Sequence, residues 1–147
     1  SSDVCSSDLI IYNIIFMTEE SIIINWNFVL PKNCNPVDLF LVPLTHQLTN
    51  LKANEKLHII LDARNVNSIG LQNKMKMDAY WRRYKNLLNQ RLHFSTLYVN
   101  TEEQKKKLDK IYKSSKSCTT PYRIILESEL QEYLVNNEIS NNNVVCT

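Results

Sequence analysis

Glycine is almost missing from this chain: Gly70 is the only one in 147 residues. A phosphate-cradling P-loop, a GxGxxG dinucleotide loop and a GxSxG nucleophile elbow each need two or more glycines at fixed spacing, so all three are excluded. No CxxC pair and no Cys/His ligand spacing occurs, and HExxH is absent, so the sequence offers no metal motif. His46, His58 and His93 are far apart and fall in different segments. No apolar run approaches the ~18 residues of a membrane span, since IIYNIIFM stops at Glu19-Glu20. Charges of both signs are interleaved. The run Lys105-Lys106-Lys107 with Lys110 and Lys113 is too local for the basic stripe of a nucleic-acid binder and reads as a solvated helix face.

The first nine residues, SSDVCSSDL, are what AGTTCAGACGTGTGCTCTTCCGATCTN encodes, which resembles a common short-read sequencing adapter. Ser1 to Leu9 are therefore set apart from the fold. The native start is then either truncated or at Met17. Without Asp3 and Asp8 the acidic count falls to 13 against 17 Lys and Arg, a formal charge near +4 where the whole chain has +2. Setting Cys5 aside leaves Cys34, Cys118 and Cys146, an odd number that suits reduced thiols and a cytoplasmic location. The remaining length is that of one domain with a core of its own.

Two β-branched, aromatic-rich runs, Ile10 to Met17 and Ile22 to Phe28, are joined by Thr18-Glu19-Glu20-Ser21, the pattern of a strand hairpin. Asn35-Pro36 opens a helix as N-cap and first residue. Leu39, Phe40, Leu44, Leu48 and Leu51 continue it at helical spacing, and Pro43 is expected to bend or split it. Leu57 to Leu61 (LHIIL) is a continuous apolar run, as in a strand covered on both faces. Leu71 to Arg91 reads as the longest helix, with Met77, Trp81, Tyr84 and Leu88 on its inner stripe. Phe94 to Val99 is the next strand, and Thr101 with Gln104 forms a capping box for the following helix. Pro121 to Leu126 is the last strand, and Ser128 with Gln131 caps a last helix carrying Leu130, Tyr133 and Leu134. Residues 137–147 have no periodicity and read as a disordered tail.

The order ββαβαβαβα predicts an α/β domain over residues 10–136. Its sheet is mixed, with an N-terminal hairpin and parallel strands thereafter, and helices pack against it. Asp62, Asn65, Ser68, Asn100, Thr101 and Glu127 then fall near the carboxyl ends of strands, the rim where open α/β sheets bind ligands. Asn65, Asn67, Ser68 and Thr101 are equally the residue types that turns and N-caps demand. Asp62 is either a turn-forming carboxylate or an anchor for a partner's cation. With Glu127 it would form the one carboxylate pair available for acid–base work. His58 reads as a packed or edge histidine, and Trp81 and Tyr84 as core.

The hairpin TEESIIINW, the segment IILDARNVNSIGLQ and the strand-to-helix step YVNTEEQ resemble the STAS domain, the fold of bacterial anti-sigma-factor antagonists and of sulfate-transporter tails. The likeness covers Tyr12 to Leu134, with Asp62, Asn65-Val66 and Gly70 in register with that fold's strand–turn–glycine pattern. The antagonist branch has an acidic residue and two serines before the glycine, the serine next to it being phosphorylated. Here Asn67, Ser68 and Ile69 stand in those places, so the chain is more similar to the divergent branch without the acceptor, in which a tryptophan on the long helix, here Trp81, recurs. The resemblance implies a non-catalytic regulatory or scaffold module without a cofactor. It would act through a protein partner or self-association, docking through Asp62, Asn65, Asn67, Ser68 and Gly70, with Ser68 as the modifiable position. The rival reading is a small-ligand domain, for a lipid or nucleotide, with its cavity under the Pro36 to Lys52 helix.

Overall fold

The computed structural model describes residues 21–30, 36–117 and 119–136. Four strands, β1 (Ile22–Val29), β2 (Glu55–Asp62), β3 (Leu92–Val99) and β4 (Tyr122–Leu126), form one parallel sheet in the order β1-β2-β3-β4. Among the described residues five helices accompany it: α1 (Pro36–Thr49), α2 (Leu71–Arg83), α3 (Lys85–Arg91), α4 (Glu102–Ser114) and α5 (Leu130–Asn136). The predicted first strand of the hairpin, Ile10 to Met17, lies outside the described residues, as do the adapter-like start, Asn35, Cys34, Cys118, Cys146 and the tail 137–147.

Sequential strand order with right-handed crossovers sends every connecting helix to the same face. The core follows from this. Strand alternation aims Trp26 and Leu30, Leu57, Ile59 and Leu61, Leu97 and Val99, and Ile124 at the helix layer. They meet Phe40, Leu44 and Leu48 of α1, Trp81 of α2, Leu88 of α3 and Leu108 of α4 in one cluster. Burial of each such side chain contributes about 1.5–3 kcal/mol. Trp26 stacks on Phe40 with ring centroids 5.7 Å apart and planes 12° from parallel, and Phe28 tilts against both. β2, central and covered on both faces, is buried from Leu57 to Asp62, which accounts for the unbroken apolar run in its sequence.

Three local expectations need correction. α1 is not split at Pro43: it is one helix that ends at Thr49. The carbonyl that loses its partner there belongs to Leu39, whose side chain is exposed and which lies on the side away from the sheet. The predicted long helix is interrupted at Tyr84, whose φ of −105° and ψ of 23° leave the helical region. No glycine or proline marks the break. The rings of Tyr84 and Tyr80 lie with centroids 4.7 Å apart, as i,i+4 neighbours do, and the helical bonds from Tyr84 N–H to the Tyr80 carbonyl and from Leu88 N–H to the Tyr84 carbonyl, both 2.9 Å, carry across the break. Ser128 does not cap the last helix. A 3₁₀ turn, Glu127–Glu129, precedes α5, and Glu129 reaches back to accept the Leu126 N–H at 3.2 Å.

Candidate functional site

The carboxyl ends of β2, β3 and β4 meet at one rim. Asp62 closes β2 on the face away from the helix layer and is buried. Its carboxylate accepts from Arg64 three times, at Oδ1 from the backbone N–H (3.1 Å) and Nε (2.9 Å), and at Oδ2 from a terminal nitrogen (2.7 Å). The other terminal nitrogen of Arg64 donates to Glu127 at 2.6 Å, and the guanidinium lies 5.4 Å from the Tyr98 ring centre. Burial works against the charge on Asp62, but the hydrogen bonds and positive charge of Arg64 outweigh it and hold the carboxyl below its usual value of 3.8. The Tyr98 hydroxyl is pushed up, by burial and then by the Asp62 charge. Asp62 and Glu127 are thus brought together, through a shared cation that the sequence reading left out.

Above this cluster the chain runs out to solvent. Asn65, Asn67, Ser68 and Gly70 are exposed, while Val66 is buried and Ile69 packs against the core. The base of the loop is tied down. Gln104 at the start of α4 donates from Nε2 to the carbonyls of Arg64 (2.9 Å) and Val66 (3.2 Å), and Asn65 Nδ2 reaches the Leu30 carbonyl at 3.4 Å. Of the predicted capping box only one half forms as expected, and the Gln104 side chain accepts from the residue before the cap. The Gln104 N–H donates to Thr101 Oγ1 at 3.2 Å and its Oε1 accepts the Asn100 N–H at 2.9 Å. Gly70 has an ordinary φ of −64°, and a Cβ there would meet nothing within 4 Å, so neither sterics nor backbone requires the chain's one glycine.

A second polar group crosses the same face of the sheet, deeper in. His58 of β2 is fully buried between Asn25 of β1 and Thr96 of β3. Its Nδ1 is 2.9 Å from Asn25 Oδ1 and its Nε2 is 2.8 Å from Thr96 Oγ1. An amide oxygen only accepts, so Nδ1 carries the proton and Nε2 accepts from the threonine hydroxyl. Burial first, then the nearby His93, lowers the His58 pKa to about 4, which keeps the ring neutral. Thr96 Oγ1 lies 3.4 Å from the hydroxyl of Tyr133, which α5 brings over this face, and Arg123 lies 5.0 Å from the Tyr133 ring centre.

Among the described residues no three His, Cys, Asp or Glu side chains gather as metal ligands would, and no helix is long and apolar enough to cross a membrane. Trp81 is buried, with Nε1 donating to Thr120 Oγ1 at 3.3 Å. Beneath α1, an apolar cavity lined by Val37, Phe40, Ile69 and Met77 has a volume of about 30 Å³. That is room for one or two water molecules, where ligand pockets measure roughly 300–1,000 Å³. No family model matches the chain, and no curated protein or solved structure does either.

Proposed function

We propose that the chain is a STAS-like regulatory or scaffold module that works by binding a protein partner through the Asn65 to Gly70 loop and the start of α2. The observation that carries this reading is the form of that loop. It is solvent-exposed at the rim of a parallel sheet while its base is fastened to α4 by Gln104 and, by Asn65, to Leu30 just past β1. A polar surface presented on a fixed base loses little entropy when a partner orders it. Within this reading Asp62 is a support and not a contact, because its carboxylate is already taken by Arg64. Ser68 is exposed and Ile69 half-buried, so Ser68 is the hydroxyl that a kinase would reach. The STAS likeness rests on the sequence segments around β1, β2 and the β3–α4 step. The parallel sheet with helices crossing one face is compatible with it.

The test is affinity capture from bacterial extract with the wild-type chain, an Asn67→Ala, Ser68→Glu double variant, and Lys106→Glu on α4 as control. A defined protein retained by wild type and control but lost by the double variant is the expected result. Equal capture by all three would remove this loop as the docking edge. A small-molecule mass adduct on the intact chain, with no protein captured, would instead favour a lipid- or nucleotide-binding domain whose cavity opens under α1.

A further inference from the structure

The outer surface of the helix layer has an apolar strip. Val42 on α1 is 75% exposed and Met75 on α2 is 61% exposed, and Leu71 is exposed beside them. The two helices lie side by side, joined by a 2.7 Å hydrogen bond between Thr45 and Tyr80 and a 3.1 Å ion pair between Lys76 and Asp38. A shallow groove runs between them over Leu41, Val42, Thr45, Ala79, Tyr80 and Tyr84. Leu71, Met75 and Ala79 are spaced i, i+4, i+8, so the strip continues along α2 beyond the groove. Single exposed apolar side chains are ordinary on a surface; a contiguous strip of them is a mark of interaction.

The charges around the strip are one-sided. α2 carries Lys74, Lys76, Arg82 and Arg83 against one acid, Asp78, and Lys85 opens α3. Among the described residues Arg82 and Arg83 have no ion-pair partner, and Arg83 lies over the Tyr84 ring at the end of the groove. The Lys76–Asp38 pair is half exposed on both sides. Such a surface pair is worth little and is readily exchanged for a partner's carboxylate.

We infer that the groove between α1 and α2 is a docking site for an acidic amphipathic helix of a protein partner. Two adjacent helices leave a furrow that a third helix fills at the usual interaxial distance of roughly 8–10 Å. Apolar residues of the incoming helix at i, i+3, i+4 and i+7 cover Val42, Ala79 and Tyr80. Its flanking carboxylates face Lys76, Arg82 and Arg83, which set its orientation and speed its arrival. The inference rests on the groove between α1 and α2 and not on the Asn65 to Gly70 loop; the two surfaces share only the start of α2, so Val42→Asp tests the groove and Ser68→Glu the loop.

The experiment uses the whole chain, isotope-labelled for amide NMR, and a synthetic helical peptide with leucines at i, i+3, i+4 and i+7 and glutamates elsewhere. A matched peptide with lysines in place of the glutamates is the comparison. The acidic peptide is expected to bind, to shift amides of α1 and α2, and to weaken as salt is raised. The basic peptide is expected to bind at least about tenfold more weakly. Arg82→Glu with Arg83→Glu, and separately Val42→Asp, should each weaken the acidic peptide by about tenfold. Both sites are exposed, so these variants keep the fold, and Met75→Asp is a second apolar test. Equal affinity for the two peptides, shifts confined to other elements, or no binding would overturn the inference. So would binding to phosphatidylserine–phosphatidylcholine vesicles with none to the peptide, or a dimer dispersed by Val42→Asp with none to the peptide.

Discussion

The guanidinium of Arg64 turns back on the carboxylate of Asp62, two residues earlier, and grips both of its oxygens at 2.9 and 2.7 Å. The same cation reaches Glu127, 63 positions further on, so a single side chain ties the ends of β2 and β4. Because the folded carboxyl of Asp62 is held below 3.8, its stabilising contribution is present above that pH and is lost as pH falls through the lower, folded value. In Arg64→Gln the buried carboxylate has no cation, and neutralising it relieves the cost. The stability gap between wild type and Arg64→Gln is therefore expected to be large at pH 7 and to narrow below about pH 4. Urea unfolding at pH 7 and pH 3 measures it, and a gap of the same size at both would refute the assignment.

His58 gives the opposite residue type the same direction of pH dependence. Its unfolded pKa is 6.5 and its folded value is about 4. The unfolded chain takes up a proton before the folded one does, so stability falls as pH drops from 6.5 to 4, by ~3 kcal/mol from this group. His58→Gln retains a donor for Asn25 and an acceptor for Thr96 without a titrating ring. It should be less stable at pH 7, yet lose less on acidification. Titration of His58 above pH 6 in the folded chain, read from its ring resonances, would contradict the prediction.

Gly70 is the N-cap of α2 and offers no side chain to the free N–H groups there. Gly70→Ser fits the observed φ and ψ, meets open space, and supplies the missing acceptor. It should stabilise the fold by a few tenths to about 1 kcal/mol. A lower thermal midpoint would show that the position needs glycine for a reason other than backbone geometry.

Leu44 and Val42 flank Pro43 and face opposite ways, with 0% and 75% exposure. Leu44→Ala should cost about 2–5 kcal/mol, and Val42→Ala should stay within about 0.5 kcal/mol of wild type. Comparable losses at both positions would mean that α1 is rotated from the orientation described here.

The alternating and continuous apolar runs made β1 to β4 readable to within two residues, because burial of one or both faces writes itself directly into residue order. The break at Tyr84 was not readable, since no glycine or proline marks it in the sequence. At the rim, Asp62 and the loop Asn65 to Gly70 were found from turn chemistry, but Arg64 was passed over. Nothing in the sequence sets its charge apart from the other cations, and only the fold reveals Glu127 beside it. Asn25, His58 and Thr96 are separated by 33 and 38 positions, and nothing local announces that they meet. The available signal was polar residues inside apolar strands, but β1 carries both Asn25 and Asn27 and β3 both Ser95 and Thr96, so the sequence does not say which of them meet.

Asn25, His58 and Thr96 also bear on how the strands are aligned. A one-residue slip between neighbouring strands exchanges the two faces of the sheet and is forbidden by the core. A two-residue slip keeps the apolar alternation intact, and shape alone discriminates against it only weakly. Pairing of Asn25 with His58 across β1 and β2 exists at a single offset. Thr96, opposite Ile60 on β3, likewise reaches the imidazole only in the native alignment. A slip that sets Ile23 opposite His58 would leave a buried imidazole without its amide partner, at a cost of about 1–3 kcal/mol, whereas the opposite slip brings Asn27, on the same face of β1, to that place. The polar row thus acts as a vernier that removes one of the two offsets the hydrophobic pattern leaves open between β1 and β2.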